Sequence, residues 1–278
     1  MTPELPAYAR VALDDGSRWW LAHSSWQETA DAAACAIAAP GQLDAEVLLK
    51  AATRRLVFTA EGIEAGSSIV VKAFPLDGFR ARLKHWKYAP SEAANLAEAA
   101  RRGVPVPALY GWGERRRAGL VRWNAVLMER ITGRTFTELA AAKVDAPAAG
   151  SDSAVAVSSS AWLDRSARLL ATMFTGGCNH IDLKPGTLLF GANAADDRVI
   201  DFQYCSFGDP SVTTFMAQLG HFAYWWDRAL NPPEDLVEAW FQVVLDHADI
   251  PVEARASAQE TFADYRLRVR SIAERLVQ

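Results

Sequence analysis

From Asn179 to Pro210 the chain reads NHIDLKPGTLLFGANAADDRVIDFQYCSFGDP. Two carboxylates, Asp182 and Asp201, each follow a short β-prone segment, and between them the spacing predicts a hairpin. Thr187 to Phe190 is an apolar run, Gly191 to Asp197 a polar loop, and Arg198 to Phe202 the returning strand. A hairpin of that length holds Asp182 and Asp201 near one end of two paired strands. Such a pair suits phosphoryl transfer, a reaction that asks a protein mainly to position oxygens and neutralise spreading charge. One carboxylate can accept a hydrogen bond from an attacking hydroxyl and the other can hold a magnesium ion. Lys184, two residues after Asp182, can point a positive charge at the same place.

The remaining 246 positions are those of an ordinary globular chain. Its 278 residues suffice for one large domain or for two lobes sharing a cleft, with 50% hydrophobic and 22% charged residues. A formal net charge of -4 argues against general nucleic-acid binding. Three cysteines, Cys35, Cys178 and Cys205, form no disulfide framework. The N-terminal MTPELPAYAR lacks an apolar signal core, and no window approaches the roughly 18 to 20 apolar residues of a spanning helix, so a cytoplasmic protein is expected. Cys178 lies close to the proposed loop and reads as a small buried thiol.

Residues 1–43 are expected to be an N-terminal extension without chemistry, RWWLAH a strand and ETADAAACAIAAPG a short helix. Strands are predicted at Glu46–Lys50, Arg55–Ala60 and Ser68–Phe74. The last of these, SIVVKAF, carries Lys72 inside a β-branched run, where a lysine is either on a solvent face or has a specific partner. PSEAANLAEAARRGVPVP predicts a helix with Ser91 as N-cap and Gly103 at its end. At about 100° per residue, Glu92 flanks the apolar face of that helix and Glu98 lies nearly opposite it. FRARLKHWKY, from Phe79 to Tyr88, reads either as a solvated helical face or as a patch for peripheral contact with an anionic membrane surface. Val144 to Ser160 is predicted to be a flexible insertion, followed by a helix from Ala161 to Phe174. Two further helical stretches fill the C-terminal part, where Trp225, Trp226 and Trp240 serve packing or an aromatic wall.

The order strand lysine, helix glutamate, connecting segment, H-x-D-L-K-P and D-F resembles the protein-kinase-like superfamily over about residues 46–220. VVKAF, LMERITG, HIDLKPGTLLF, VIDF and MAQL most resemble the lipopolysaccharide core kinases that act on Kdo or heptose. GVPVP, H-x-D-L-x-P-G-x-L-L and Gly208-Asp209-Pro210 are similar to the aminoglycoside and choline phosphotransferases. The resemblance implies an α+β, bilobal kinase-like fold. A small antiparallel-sheet lobe with one helix (44–130) would be followed by a larger, mainly helical lobe (131–278). It implies ATP and magnesium, a sugar, glycolipid or other small-molecule acceptor, and a place in lipopolysaccharide biosynthesis. Asp182 and Lys184 would be catalytic and Asp201 a metal ligand. Lys72 would contact the phosphates with Glu92 as its partner, and the backbone between Glu129 and Ile131 would meet adenine.

Three departures stand against that pattern. Thr187 occupies the place of the Asn that ligates a second metal, and its shorter, neutral hydroxyl is expected to take that metal instead. The hairpin LLKAATRRLVFTAEG has no glycine before Gly62, leaving Thr53, Arg54 and Arg55 as side-chain substitutes for a glycine-rich loop. Gln203 replaces the last residue of D-F-G. The alternative to an active kinase is therefore a nucleotide-binding or scaffolding pseudokinase; a protein kinase is a third reading, disfavoured by the missing arginine of H-R-D.

Overall fold

The computed structural model describes residues 8–61, 68–144 and 154–275. The chain forms two compact units, one of residues 1–98 and 107–130, the other of 99–106 and 131–278. The first contains β1 (Ala9–Ala12), β2 (Ser17–Leu21), α1 (Gln27–Ala38), β3 (Leu48–Ala52), β4 (Arg55–Glu61), β5 (Ser68–Pro75), α2 (Phe79–Leu83), α3 (Ala89–Arg101), β6 (Leu109–Arg117) and β7 (Leu120–Glu129). Among the described residues its strands make one antiparallel sheet in the order β1-β2-β6-β7-β5-β4-β3.

Strand alternation sends Ile69, Val71 and Ala73 of β5 into a core with Phe58, Leu127 and Trp123. Lys72 and Phe74, on the opposite face, are buried too, which is why β5 reads as a nearly unbroken apolar run. Residues 8–43, expected as part of an extension, are no appendage. Trp19 and Leu21 of β2 and Ala30, Ala33, Ala34 and Ile37 of α1 belong to this same core, the small alanines letting the helix approach closely. Trp19 pairs with Gly113 of β6, where a Cβ would lie 2.2 Å from the indole, so its packing requires glycine there. The tryptophan pattern of the N-terminal stretch announced packing, but its partners lie some ninety residues away in sequence.

Helix α3 starts at Ala89, two residues before the predicted cap Ser91. Its first amide is met instead by the fully buried side chain of Asn124 from β7, at 3.3 Å. Such a long-range cap carries no local signal.

The second unit contains β8 (Arg134–Thr135), α4 (Phe136–Val144), α5 (Ala154–Thr175), β9 (Cys178–His180), β10 (Leu188–Phe190), β11 (Arg198–Val199), β12 (Cys205–Phe207), α6 (Val212–Leu230), α7 (Glu234–His247) and α8 (Val252–Arg275). Phe136 meets Trp162, Phe222 and Trp226 edge-on at 4.7–5.0 Å between ring centroids, and Trp240 stacks on Phe222 at 5.1 Å. Trp226 and Trp240 are thus core residues, whereas Trp225 is exposed. α6 runs against α8, which passes so closely that a Cβ at Gly220 would lie 2.8 Å from the Phe262 carbonyl. The predicted insertion 144–160 is corrected at both ends: Val144 closes α4, and α5 starts at Ala154, seven residues before the predicted start. Once a helix is nucleated, each added residue costs little, and AVAVSSS extends α5 without an apolar stripe of its own. Residues 145–153 lie outside the described residues. No described helix is long and apolar enough to cross a membrane.

Candidate active site

In the first unit, Lys72 Nζ donates to Glu92 Oε1 at 2.6 Å, with side chains 8% and 1% exposed. The pair joins β5 to α3, and the ammonium also lies 5.6 Å from the Phe74 ring. Glu98, the competing glutamate, is half-buried on another face. The β3–β4 hairpin turns through exposed Thr53 and Arg54. At the end of β7, the Glu129 carboxylate accepts from the Ala108 amide at 3.0 Å, and its own amide donates to the Ala108 carbonyl at 2.9 Å. Ile131 begins the second unit and is half-buried.

The second unit gathers Asp182, Lys184, Thr187 and Asp201 around one buried residue, His180. The His180 amide donates to Gln218 Oε1 of α6 at 2.8 Å, and its Nε2 donates to the Ile200 carbonyl at 3.1 Å. Its ring meets Phe202 edge-on at 5.3 Å. β9 and β12 pair through His180 and Cys205, and Tyr204 O accepts from Ile181 N at 3.1 Å. One imidazole therefore fixes the segments that present Asp182, two residues on, and Asp201, one residue beyond Ile200.

Asp182 Oδ2 accepts from Lys184 Nζ at 2.8 Å, both side chains being about 40% exposed (42% and 39%). The β10–β11 pairing, Leu188 with Val199 and Leu189 with Arg198, supplies the predicted hairpin. Its second strand stops at Val199, short of Phe202, because Asp201 lies in the left-handed region at φ 69° and ψ 52°. An L-residue there costs roughly 1–2 kcal/mol, least for Asp and Asn, and such strain concentrates where a side chain has to be aimed.

Thr187, expected as a metal ligand, has its hydroxyl engaged in its own turn. Its hydroxyl donates to the Lys184 carbonyl at 2.7 Å and accepts from the Lys184 amide at 3.3 Å, and the residue is 1% exposed. It locks the Lys184–Thr187 turn. Asp201 is the other expected oxygen donor. Among the described residues no three His, Cys, Asp or Glu side chains form a metal cage. Magnesium fits a site of this kind, since it keeps several waters and takes one or two carboxylates together with phosphate oxygens.

Two residues of α6 have no counterpart in the sequence reading. Gln218 is a buried amide among Phe215, Met216, Leu219 and Phe222, and a polar side chain on so apolar a helix face was the signal for it. His221, one turn later, accepts from Trp225 Nε1 at 2.7 Å and hydrogen-bonds the Ile181 backbone. Burial depresses the His221 pKa; the Asp182 charge opposes this and Lys184 reinforces it. Burial likewise depresses His180, against the pull of the Ile200 carbonyl, Asp201 and Asp182. Protonating His180 would place a second N–H where Nδ1 has no partner among the described residues.

A stability prediction follows from the sign of those shifts. Below about pH 6.5 the unfolded chain binds protons that the folded chain excludes, so stability is full above that value and falls as the pH drops through it. His180 alone sets a slope of up to about 1.4 kcal/mol per pH unit. Urea unfolding of the wild type between pH 7.5 and 5.5 is expected to show the loss, and His180→Gln a shallower slope. Equal slopes would remove His180 from the account.

A separate cavity of about 200 Å³ lies beside β9, lined by Phe174, Cys178, Asn179, Asp209, Phe215 and Gln218 among others. Neither Asp182 nor Asp201 borders it.

No family model and no curated protein matches the chain. Solved structures do. The ROP18 kinase domain in complex with AMP-PNP and sucrose aligns with a TM-score of 0.50 at 14% identity, over 98% of this chain and 88% of that one. This is a protein-kinase-like fold. WaaP in complex with acyl carrier protein aligns with a TM-score of 0.49 at 14% identity, over 88% of this chain and 99% of that one. At 14% identity the likeness to the ROP18 kinase domain speaks to the fold alone, an α+β kinase-like architecture as the sequence motifs implied.

Proposed function

We propose that the chain is an ATP-dependent phosphotransferase whose acceptor is a hydroxyl of a sugar or glycolipid, in the manner of the lipopolysaccharide core kinases. The observation that carries this reading is the clamp at His180, which holds Asp182 with its Lys184 partner and the strained Asp201 on one framework. Asp182 takes the acceptor's proton as its oxygen bonds to the γ-phosphorus of ATP. The bond from that phosphorus to the β–γ bridging oxygen breaks, and ADP leaves. Lys184 orients the carboxylate and faces the charge that builds on the phosphoryl oxygens. Asp201 would hold a magnesium ion, which would supply charge neutralisation to the phosphates. Lys72, fixed by Glu92, contacts the donor phosphates, and the backbone around Glu129 to Ile131 receives adenine.

Asp201→Asn keeps the left-handed turn and removes the charge. With magnesium and ATP at about a hundred times Kd, the wild type is expected to melt about 5–10 °C higher than without ligand. Asp201→Asn is expected to show little of that rise. No magnesium-dependent rise in the wild type would overturn the reading.

A second reading draws on Thr187, whose hydroxyl is committed to its turn: a nucleotide-binding module without transfer. The same melting experiment followed by product detection with sugar acceptors separates the two. Stabilisation together with phosphorylated acceptor supports the kinase; stabilisation with no transfer to any acceptor and no ATP hydrolysis supports the module.

A further inference from the structure

The segment 79–87 of the first unit turns its large apolar side chains outward beside its cations and is anchored on its inner side by polar groups. Phe79, Leu83 and Trp86 are 63%, 47% and 54% exposed, and Arg80, Lys84 and Lys87 are exposed beside them. A solvated helical face would show the reverse, apolar side chains inward and cations alone outside. Here the inward side makes polar anchors. Arg82 Nε donates to the Leu76 carbonyl at 2.6 Å, and buried Asn124 donates to the His85 carbonyl at 2.9 Å while accepting from the Ala89 amide at 3.3 Å. His85 lies 3.7 Å from the Glu114 carboxylate. The backbone is therefore tied to the sheet, and the outward face is not a consequence of fraying.

We infer that this face seats the protein on an anionic membrane surface. From Phe79 to Tyr88 there are four Lys and Arg and no carboxylate, in a chain whose formal net charge is -4, so the attraction is local to the patch. Phe79 and Leu83 are one helical turn apart, and Trp86 follows in the next turn, so the three stand among the cations. Aromatic rings and leucine enter the headgroup boundary while lysine and arginine, with their apolar stems, remain at the phosphates. A purely polar acidic surface would satisfy the cations but leave three large apolar side chains in water.

The test is co-sedimentation of the full chain with vesicles of phosphatidylcholine alone and with about one third phosphatidylglycerol, and it reads binding without reference to turnover. The wild type is expected to bind the anionic vesicles at least about tenfold more tightly, and half-molar sodium chloride to release most of it. Phe79→Ser with Trp86→Ser, and separately Arg80→Glu with Lys84→Glu, are each expected to lower that binding tenfold or more. All four side chains are exposed, and unchanged melting temperatures would show the variants folded. Equal binding to both vesicles, no binding, or loss in the charge variant alone would overturn the inference. The last outcome, with capture by an acidic protein column, would assign the patch to a protein partner.

Discussion

Asp182→Asn is expected to lower phosphoryl transfer by about 10²- to 10⁴-fold, leave ATP-dependent stabilisation intact and change unfolding free energy by less than about 1 kcal/mol. The three parts have separate physical causes. Turnover falls because an amide of the same shape cannot take the acceptor's proton. Stability holds because the Asp182–Lys184 pair, at 2.8 Å but about 40% exposed on each side, is screened by water and contributes little. Loop geometry holds because it is set by His180 against Gln218 and the Ile200 carbonyl, and not by the ion pair. Transfer kinetics and urea unfolding on one preparation check all three. An Asn variant turning over within threefold of the wild type would remove Asp182 from the chemistry.

Lys72 and Glu92 are expected to behave in the opposite way, with stability and nucleotide binding both at stake. Lys72→Met leaves a carboxylate that is 1% exposed without its ammonium, a loss of about 3–5 kcal/mol. Glu92→Leu leaves the ammonium in the same position and is expected to cost a similar amount. The double variant replaces two buried charges by two apolar side chains of comparable volume, and its stability is expected to return to within about 1 kcal/mol of the wild type or above it. Nucleotide-dependent stabilisation is expected to be absent in all three. A double-mutant cycle in urea gives the coupling. Additive losses, with the double variant the least stable, would show that the pair is not an energetic unit. A double variant that still responded to nucleotide would remove Lys72 from the donor site.

Those two contrasts also mark what could be read from residue order. The hairpin leading to Asp201, the strand holding Lys72 and the choice of Glu92 over Glu98 are local consequences of periodicity. What escaped reading is non-local. Asn124 caps α3 from thirty-five positions away, Gln218 reaches the His180 amide from thirty-eight, and Trp19 finds Gly113 across the sheet. Thr187 escaped for another reason: a threonine hydroxyl has the right chemistry for a cation, and the turn that occupies it, with Lys184 only three residues away, competes for the same oxygen. The reversed polarity of residues 79–87 could not be seen either, because a basic-aromatic run is the same string whichever way its faces point.

The left-handed turn at Asp201 bears on how such a chain can change over generations. Asparagine and glycine hold that backbone at least as comfortably, while branched and bulky residues do not. A single replacement by either can therefore erase the carboxylate while the left-handed turn is kept. Under the proposed function, copies without the metal ligand would persist beside copies that keep it with little penalty in the cell's quality control, told apart only by that one side chain.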